Sequence, residues 1–221
     1  LELTQNDHKC LDAFLEKIDR LPRAIELAAG RLDVLGPREL LERWDDILGL
    51  LSRSRDTSRW EPAMKNSLQR SWRRLDHLQK ATLAQISFFQ SPFSADAARG
   101  IMNPSYFSDS DSIRDVLDTL RAHSLIRPRS TDESQTRYET YSLVKTFARQ
   151  KVAPHIRKSY VIPNYIEYWV QRLEQLMKQL RGSHPLDARE AFEAEQPDIL
   201  KAFELATEYR PSRAAKIADS C

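Results

Sequence analysis

Apolar residues recur with a helical period along most of the chain. Leu11, Phe14, Leu15 and Ile18 fall at i, i+3, i+4 and i+7, one stripe of an amphipathic helix. Pro22 opens a second helix, where its missing N–H costs nothing, and Ile25, Ala28, Ala29 and Leu32 form its apolar face. Gly36-Pro37 breaks the chain, and a third helix follows with Leu40, Leu41, Trp44, Ile47, Leu48 and Leu51 inward. Three helices joined by tight breaks predict a small bundle. The polar, Arg-rich run 52–61 reads as a linker, with Arg53, Arg55 and Arg59 as a candidate hinge.

Beyond it, Leu68, Trp72 and Leu75 mark one helix, and Leu78, Leu83, Ile86 and Phe89 the next. Pro92 separates that helix from a short one with Ser94 as N-cap. Ile113, Val116, Leu117 and Leu120 give the core face of another, which Asp109 to Ser112 can cap. The period then changes. Leu125 to Pro128 reads as extended because residues before proline avoid the α region. Tyr138, Thr140 and Tyr141 favour a strand over Arg137 to Leu143, and 130–136 form the polar turn between the two. Helix resumes around Lys145, with Phe147 and Val152 inward. The last three of these helices, the hairpin and the closing helix stand in the order of a winged-helix domain.

The last third is helical again. Tyr165, Ile166, Trp169, Val170, Leu173, Leu176, Met177 and Leu180 stripe a long helix from about Tyr160 to Arg181, and Gly182 stops it. Pro197 starts a new helix or kinks the one containing Phe192, Ile199, Leu200, Phe203 and Ala206, and Pro211 opens another. Antiparallel helix pairs predict the start of a helical-repeat array, although no repeat period shows within the chain. The expected fold class is mainly α: a helical subdomain with its linker over 1–61, a winged helix with a short β-hairpin over 62–153, and a helical segment over 154–221.

Composition narrows the function classes. The 221 residues carry 34 bases against 32 acids, a net charge of +2 that by itself names neither nucleic acid nor an anionic membrane as partner. Of the bases, 24 are Arg, which favours planar carboxylate or phosphate partners; intramolecular ion pairs between helices are the plainer use. Cys10 and Cys221 stand far apart, and the five histidines are scattered, so neither a disulfide framework nor a zinc cluster is indicated. No apolar run approaches the roughly 18 residues that span a bilayer. A reducing, cytoplasmic setting without membrane contact is the expectation.

A nucleotide-hydrolysing site needs clustered glycines whose amides close on phosphate. Gly30, Gly36, Gly49, Gly100 and Gly182 are all isolated, so no catalytic residue and no metal ligand is assigned. The acids Glu42, Asp45 and Asp46 read as a solvated helix face. Nucleic acid is the sharper alternative. The candidate recognition helix carries Asp109, Asp111, Asp115 and Asp118 against Arg114 and Arg121, a poor electrostatic match to a duplex. The wing offers Arg127, Arg129 and Arg137, and an earlier helix of the same domain offers Arg70, Arg73 and Arg74, all able to meet phosphates. A plain helical adaptor is a further alternative.

Several segments resemble, in order, those of the STAND or NB-ARC-like signalling ATPases, the bacterial AfsR-like branch in particular. Leu21 to Ala29 is similar to "GLPLAIELAA", and Asp33 to Leu41 to "L..LSP.ELL". Leu68 to Leu78 resembles "L...W..L...", and Asp118 to Ile126 resembles "L..L...SLV". Tyr138 to Ala148 resembles "RY.LLETVR.YA", and Glu195 to Leu205 "E.DNLRAALEWA", where a TPR-like array begins. The resemblance implies a helical subdomain, a winged helix and a superhelical sensor, following a nucleotide-binding core that in the family precedes the position of Leu1. It implies ADP or ATP as cofactor of the whole protein, with Pro22 against the adenine and Tyr141 at the place of the family's phosphate-sensing histidine, both completed by that core. The upstream core and protein partners of the C-terminal helices are the implied partners. The family's Gly and second Leu are Arg20 and Arg23 here, and its "MHD" aligns with Thr140-Tyr141-Ser142. A tyrosine hydroxyl can donate a hydrogen bond but carries no charge near neutral pH. The resemblance therefore implies a non-catalytic regulatory portion whose winged helix moves with nucleotide state.

Overall fold

The computed structural model describes residues 4–20, 22–29, 32, 35–43, 61–102, 112–129, 136–182 and 185–220. The run 44–60, which includes most of the third predicted helix and the hinge arginines, lies outside the described residues, as do Asp109 and Asp111. Packing divides the chain into two compact units. One comprises Leu1–Asp76 with Tyr141–Gln150, and the other His77–Thr140 with Lys151–Cys221.

In the first unit, α1 (Gln5–Lys17) begins with a capping box: the Thr4 hydroxyl accepts from the Asp7 amide, and the Asp7 carboxylate accepts from the Thr4 amide. Its last turn closes with Arg20 N–H on Leu15 O and Asp19 N–H on Glu16 O, both 3.0 Å. Two residues there, Asp19 (φ 54°) and Arg20 (φ 50°), adopt the left-handed region where glycine is usual. α2 (Pro22–Ala29) and α3 (Pro37–Glu42) start at prolines, as their sequence predicts. α4 (Glu61–Arg74) follows. The core joins Phe14 and Ile18 of α1, Ala24 and Ala28 of α2, Leu40 of α3, and Leu143 and Phe147 of α8 (Ser142–Lys151). Leu68 and Trp72 of α4 pack on it, Trp72 edge-on to Phe147 at 6.0 Å.

The second unit begins with α5 (His77–Ile86), whose last five residues are all buried. Next come β1 (Phe93–Ser94) and α6 (Ala95–Gly100), with Ser94 accepting from the Ala97 amide as the predicted N-cap. α7 (Ile113–Ala122) buries Val116, Leu117 and Leu120. It ends with Leu125 N–H on Leu120 O and Ser124 N–H on Arg121 O, with Ser124 left-handed at φ 55°. β2 (Ile126–Arg129) and β3 (Arg137–Thr140) form the hairpin, and β1 adds to β3, giving an antiparallel sheet of order β1-β3-β2. The hairpin is where the change of period placed it, but its second strand stops at Thr140: Ser142 and Leu143, expected to be extended, open the following helix, where Leu143 is buried. β1 was not predicted. The order of helices, hairpin and closing helix is that of a winged helix, in a chain that is mainly helical.

A helical turn at Pro154–Ile156 and a π-helical stretch at Arg157–Val161 lead into α9 (Ile162–Leu180), so helix begins earlier than Tyr160. α9 packs against α10 (Pro185–Tyr209) and α11 (Pro211–Ser220), which also pack on one another. Pro197 lies inside α10, which runs on through it. No described helix is long and apolar enough to cross a membrane.

Candidate functional site

The nucleic-acid candidates converge because a strand repeats every two residues. Arg127 lies opposite Glu139, and Arg129 opposite Arg137, so all four share one face of the hairpin. That face is internally bonded. Arg127 Nε and Arg129 Nε both donate to Glu139 Oε2 at 2.8 Å. Burial alone would push the Glu139 carboxyl up, but the hydrogen bonds from Arg129 and Arg127 hold it below its ordinary range. Arg137 turns away to the Pro92 carbonyl at 3.2 Å and to Glu195 of α10 at 3.6 Å.

Glu195 also accepts two bonds from the Arg172 guanidinium of α9, at 2.8 and 3.1 Å. Beside it the Tyr168 hydroxyl is pushed up to about 12, first by burial and then by the Glu195 charge. One helical turn on, Asp198 is fully buried and accepts from the Gln90 amide at 2.7 Å, the Ser91 amide at 2.9 Å, the Ser91 hydroxyl, and the Tyr165 hydroxyl at 2.6 Å. These two carboxylates bolt the hairpin and the 90–92 turn to the C-terminal helices. In the sequence their segment reads only as a helix. Their polarity on an inward face was the available signal, since Glu195 and Asp198 are spaced with Ile199 and Ala202 on the buried side.

The recognition-helix candidate, α7, exposes Arg114, Asp115, Asp118 and Arg121, two acids against two bases. Asp118 and Arg121 pair with each other at 3.5 Å. Such a face has no net charge to draw a phosphate backbone.

Pro22 and Tyr141 are 119 positions apart in sequence. Pro22 is the first residue of α2, two residues after Arg20. Tyr141 is half-buried between β3 and α8. A single hydrogen bond brings their neighbourhoods together: the Asp19 carboxylate accepts from the Ser142 amide at 2.6 Å. The start of a helix is where an anion is best held, and the chain fills it with its own carboxylate. A nucleotide phosphate approaching Tyr141 and Ser142 would meet that negative charge. These residues, as arranged, do not fit a phosphate. Among the described residues no group of His, Cys, Asp and Glu could hold a metal ion.

No curated protein matches the chain. A family comparison matches residues 75–153 to the winged helix-turn-helix domain. That stretch runs from the last residues before α5 through α8, and covers the three helices, the sheet and the helix that follows it. The matched part of the chain has the element order of a winged helix and is similar to that domain family, in a chain that is mainly helical.

Proposed function

We propose that this chain is the non-catalytic regulatory portion of a signalling ATPase of the STAND class, and that its winged helix serves as a scaffold within the protein. The observation that supports this most is the commitment of the wing arginines. Arg127 and Arg129 are spent on Glu139, and Arg137 on Glu195 and Pro92, so none is held ready for a phosphate. The balanced face of α7 favours the same reading. On it, a nucleotide core elsewhere in the protein supplies ATP or ADP binding, and Asp19 holds the start of α8 without help from a phosphate. Protein partners are taken by the helical surfaces.

Retention of duplex DNA tests this. The purified chain should show no retention at about 0.1 M salt, and Glu139→Gln, which releases two guanidiniums, should raise it. Salt-dependent retention by the unaltered chain, lost in Arg127→Ala/Arg129→Ala, would establish the second reading, a DNA-binding winged helix. That reading draws on the family match and on the surplus of charge around the wing, where Arg127, Arg129, Arg137 and Arg172 share Glu139 and Glu195. An adaptor without switching would show no affinity for a nucleotide-binding core supplied in trans.

A further inference from the structure

We propose that the outward face of α4 is a docking surface for an acidic protein segment, one that presents carboxylates at helical spacing. Leu68, Trp72 and Leu75 recur at i, i+4 and i+7 on the inward side; Leu68 and Trp72 pack on the first unit's core and Leu75 is buried. At about 100° per residue, Arg70, Arg73 and Arg74 fall on the opposite side, and all three are exposed. None of the three has an ion-pair partner among the described residues. Four other exposed arginines are paired along the chain instead. Arg20 is paired with Glu16, Arg38 with Glu42, Arg43 with Glu39 and Arg189 with Glu193, each one helical turn away.

On α4 the positions three or four residues before these arginines hold Asn66, Ser67, Gln69 and Ser71 besides Arg70 itself; past the helix end come His77, Leu78 and, three residues after Arg73, the acid Asp76. Arg70 instead faces Arg73 and Arg74 at i+3 and i+4, where like charges repel and weaken the helix. The helix dipole offsets this for Arg73 and Arg74 in the last turn but not for Arg70. An external anion removes the repulsion.

Geometry selects carboxylates over a nucleic-acid backbone. Arg70 to Arg74 spans about 6 Å of helix axis, which matches two carboxylates one turn apart on a facing helix. A duplex calls for a longer basic track, and the exposed residues ahead of Arg70, Asn66 and Ser67, are uncharged. All three bases are Arg, whose planar fork binds a carboxylate through two parallel bonds. This surface does not depend on the signalling-ATPase reading.

The test uses the whole chain and a fluorescein-labelled peptide of repeated Glu-Ala-Ala-Ala units, with short duplex DNA as competitor. Arg70→Ala/Arg73→Ala/Arg74→Ala should weaken peptide binding about tenfold or more. Arg38→Ala/Arg43→Ala/Arg189→Ala removes the same charge elsewhere and should change it less than about twofold. Replacing the three α4 arginines with Lys keeps the charge and the fold and should still weaken binding, because the fork is lost. Equal losses in both alanine variants, no binding by the unaltered chain, or displacement of the peptide by DNA at lower concentration than unlabelled peptide would each overturn the proposal.

Discussion

The Asp19 carboxylate accepts the Ser142 amide at 2.6 Å across 123 positions of sequence. It ties the end of α1 to the first turn of α8, and both belong to the first packing unit. Asp19 can reach because its backbone is left-handed, which turns the chain sharply between α1 and α2. Leu143 and Phe147 then enter the core beside Phe14 and Ile18. The helix that closes the winged-helix domain is thus a core element of the N-terminal bundle.

Asp19→Ala removes an acceptor at a helix start, and such caps contribute about 1 kcal/mol. The variant should lower the urea midpoint accordingly, with Asp19→Asn recovering part of the loss because Asn tolerates the same backbone region. A midpoint unchanged in Asp19→Ala would show that the hydrogen bond contributes nothing to the unit.

Two further left-handed residues make an opposite prediction. Arg20 (φ 50°) and Ser124 (φ 55°) each follow a helix end that closes with paired backbone bonds. An L-residue held there costs roughly 1–2 kcal/mol, and glycine does not. Arg20→Gly and Ser124→Gly should therefore raise thermal stability, each on its own. Arg20→Gly also gives up an exposed bridge to Glu16, a small loss for a surface pair. A fall in melting temperature for both would mean that the left-handed turns are not strained.

Much of this architecture could be read from periodicity. The stripes Phe14 to Ile18, Val116 to Leu120 and Tyr165 to Leu176 are the buried faces they predict. The hairpin followed from proline and β-branched cues. Phe93-Ser94 escaped notice because a two-residue strand has no period and exists through pairing with Arg137 and Tyr138. Pro197 reads in the sequence as a helix start or a kink, yet α10 continues through it. There the buried bonds of Glu195 and Asp198 to distant partners outweigh one missing backbone donor. The wing arginines were legible as a group, but their pairing was not. Glu139 is opposite Arg127 only once register is known, and Glu195 comes from a helix far along the chain.

Asp198 is the stronger of the two bolts. Truncating it leaves the Gln90 and Ser91 amides and the Ser91 and Tyr165 hydroxyls without their acceptor, and Ser91 and Tyr165 are buried. Asp198→Ala should cost about 3–5 kcal/mol, and Asp198→Asn an intermediate amount, since an amide returns one oxygen but turns a donor toward donors. Urea unfolding followed by Trp fluorescence reads this directly, because Trp169 stands against Tyr165 at 6.1 Å. A loss below about 1 kcal/mol, the size of one ordinary hydrogen bond, would remove Asp198 from the role assigned to it.

Glu139 gives stability a pH dependence whose sign is fixed. Its carboxyl is held below the ordinary glutamate value in the folded chain, because the two arginine bonds outweigh burial. The unfolded chain therefore binds the proton more readily. The contribution is complete above the ordinary glutamate range and is lost as pH falls through the lower, folded value. Glu139→Gln abolishes this. The stability gap between the two proteins should be widest near neutral pH, about 1 kcal/mol for a half-buried pair, and should close in acid. The same substitution frees Arg127 and Arg129, so near neutral pH the less stable variant should also be the one that retains more DNA. A stability gap that stays constant from neutral to acid would mean that Glu139 acts through packing rather than charge, and the wing arginines would then no longer count as held by it.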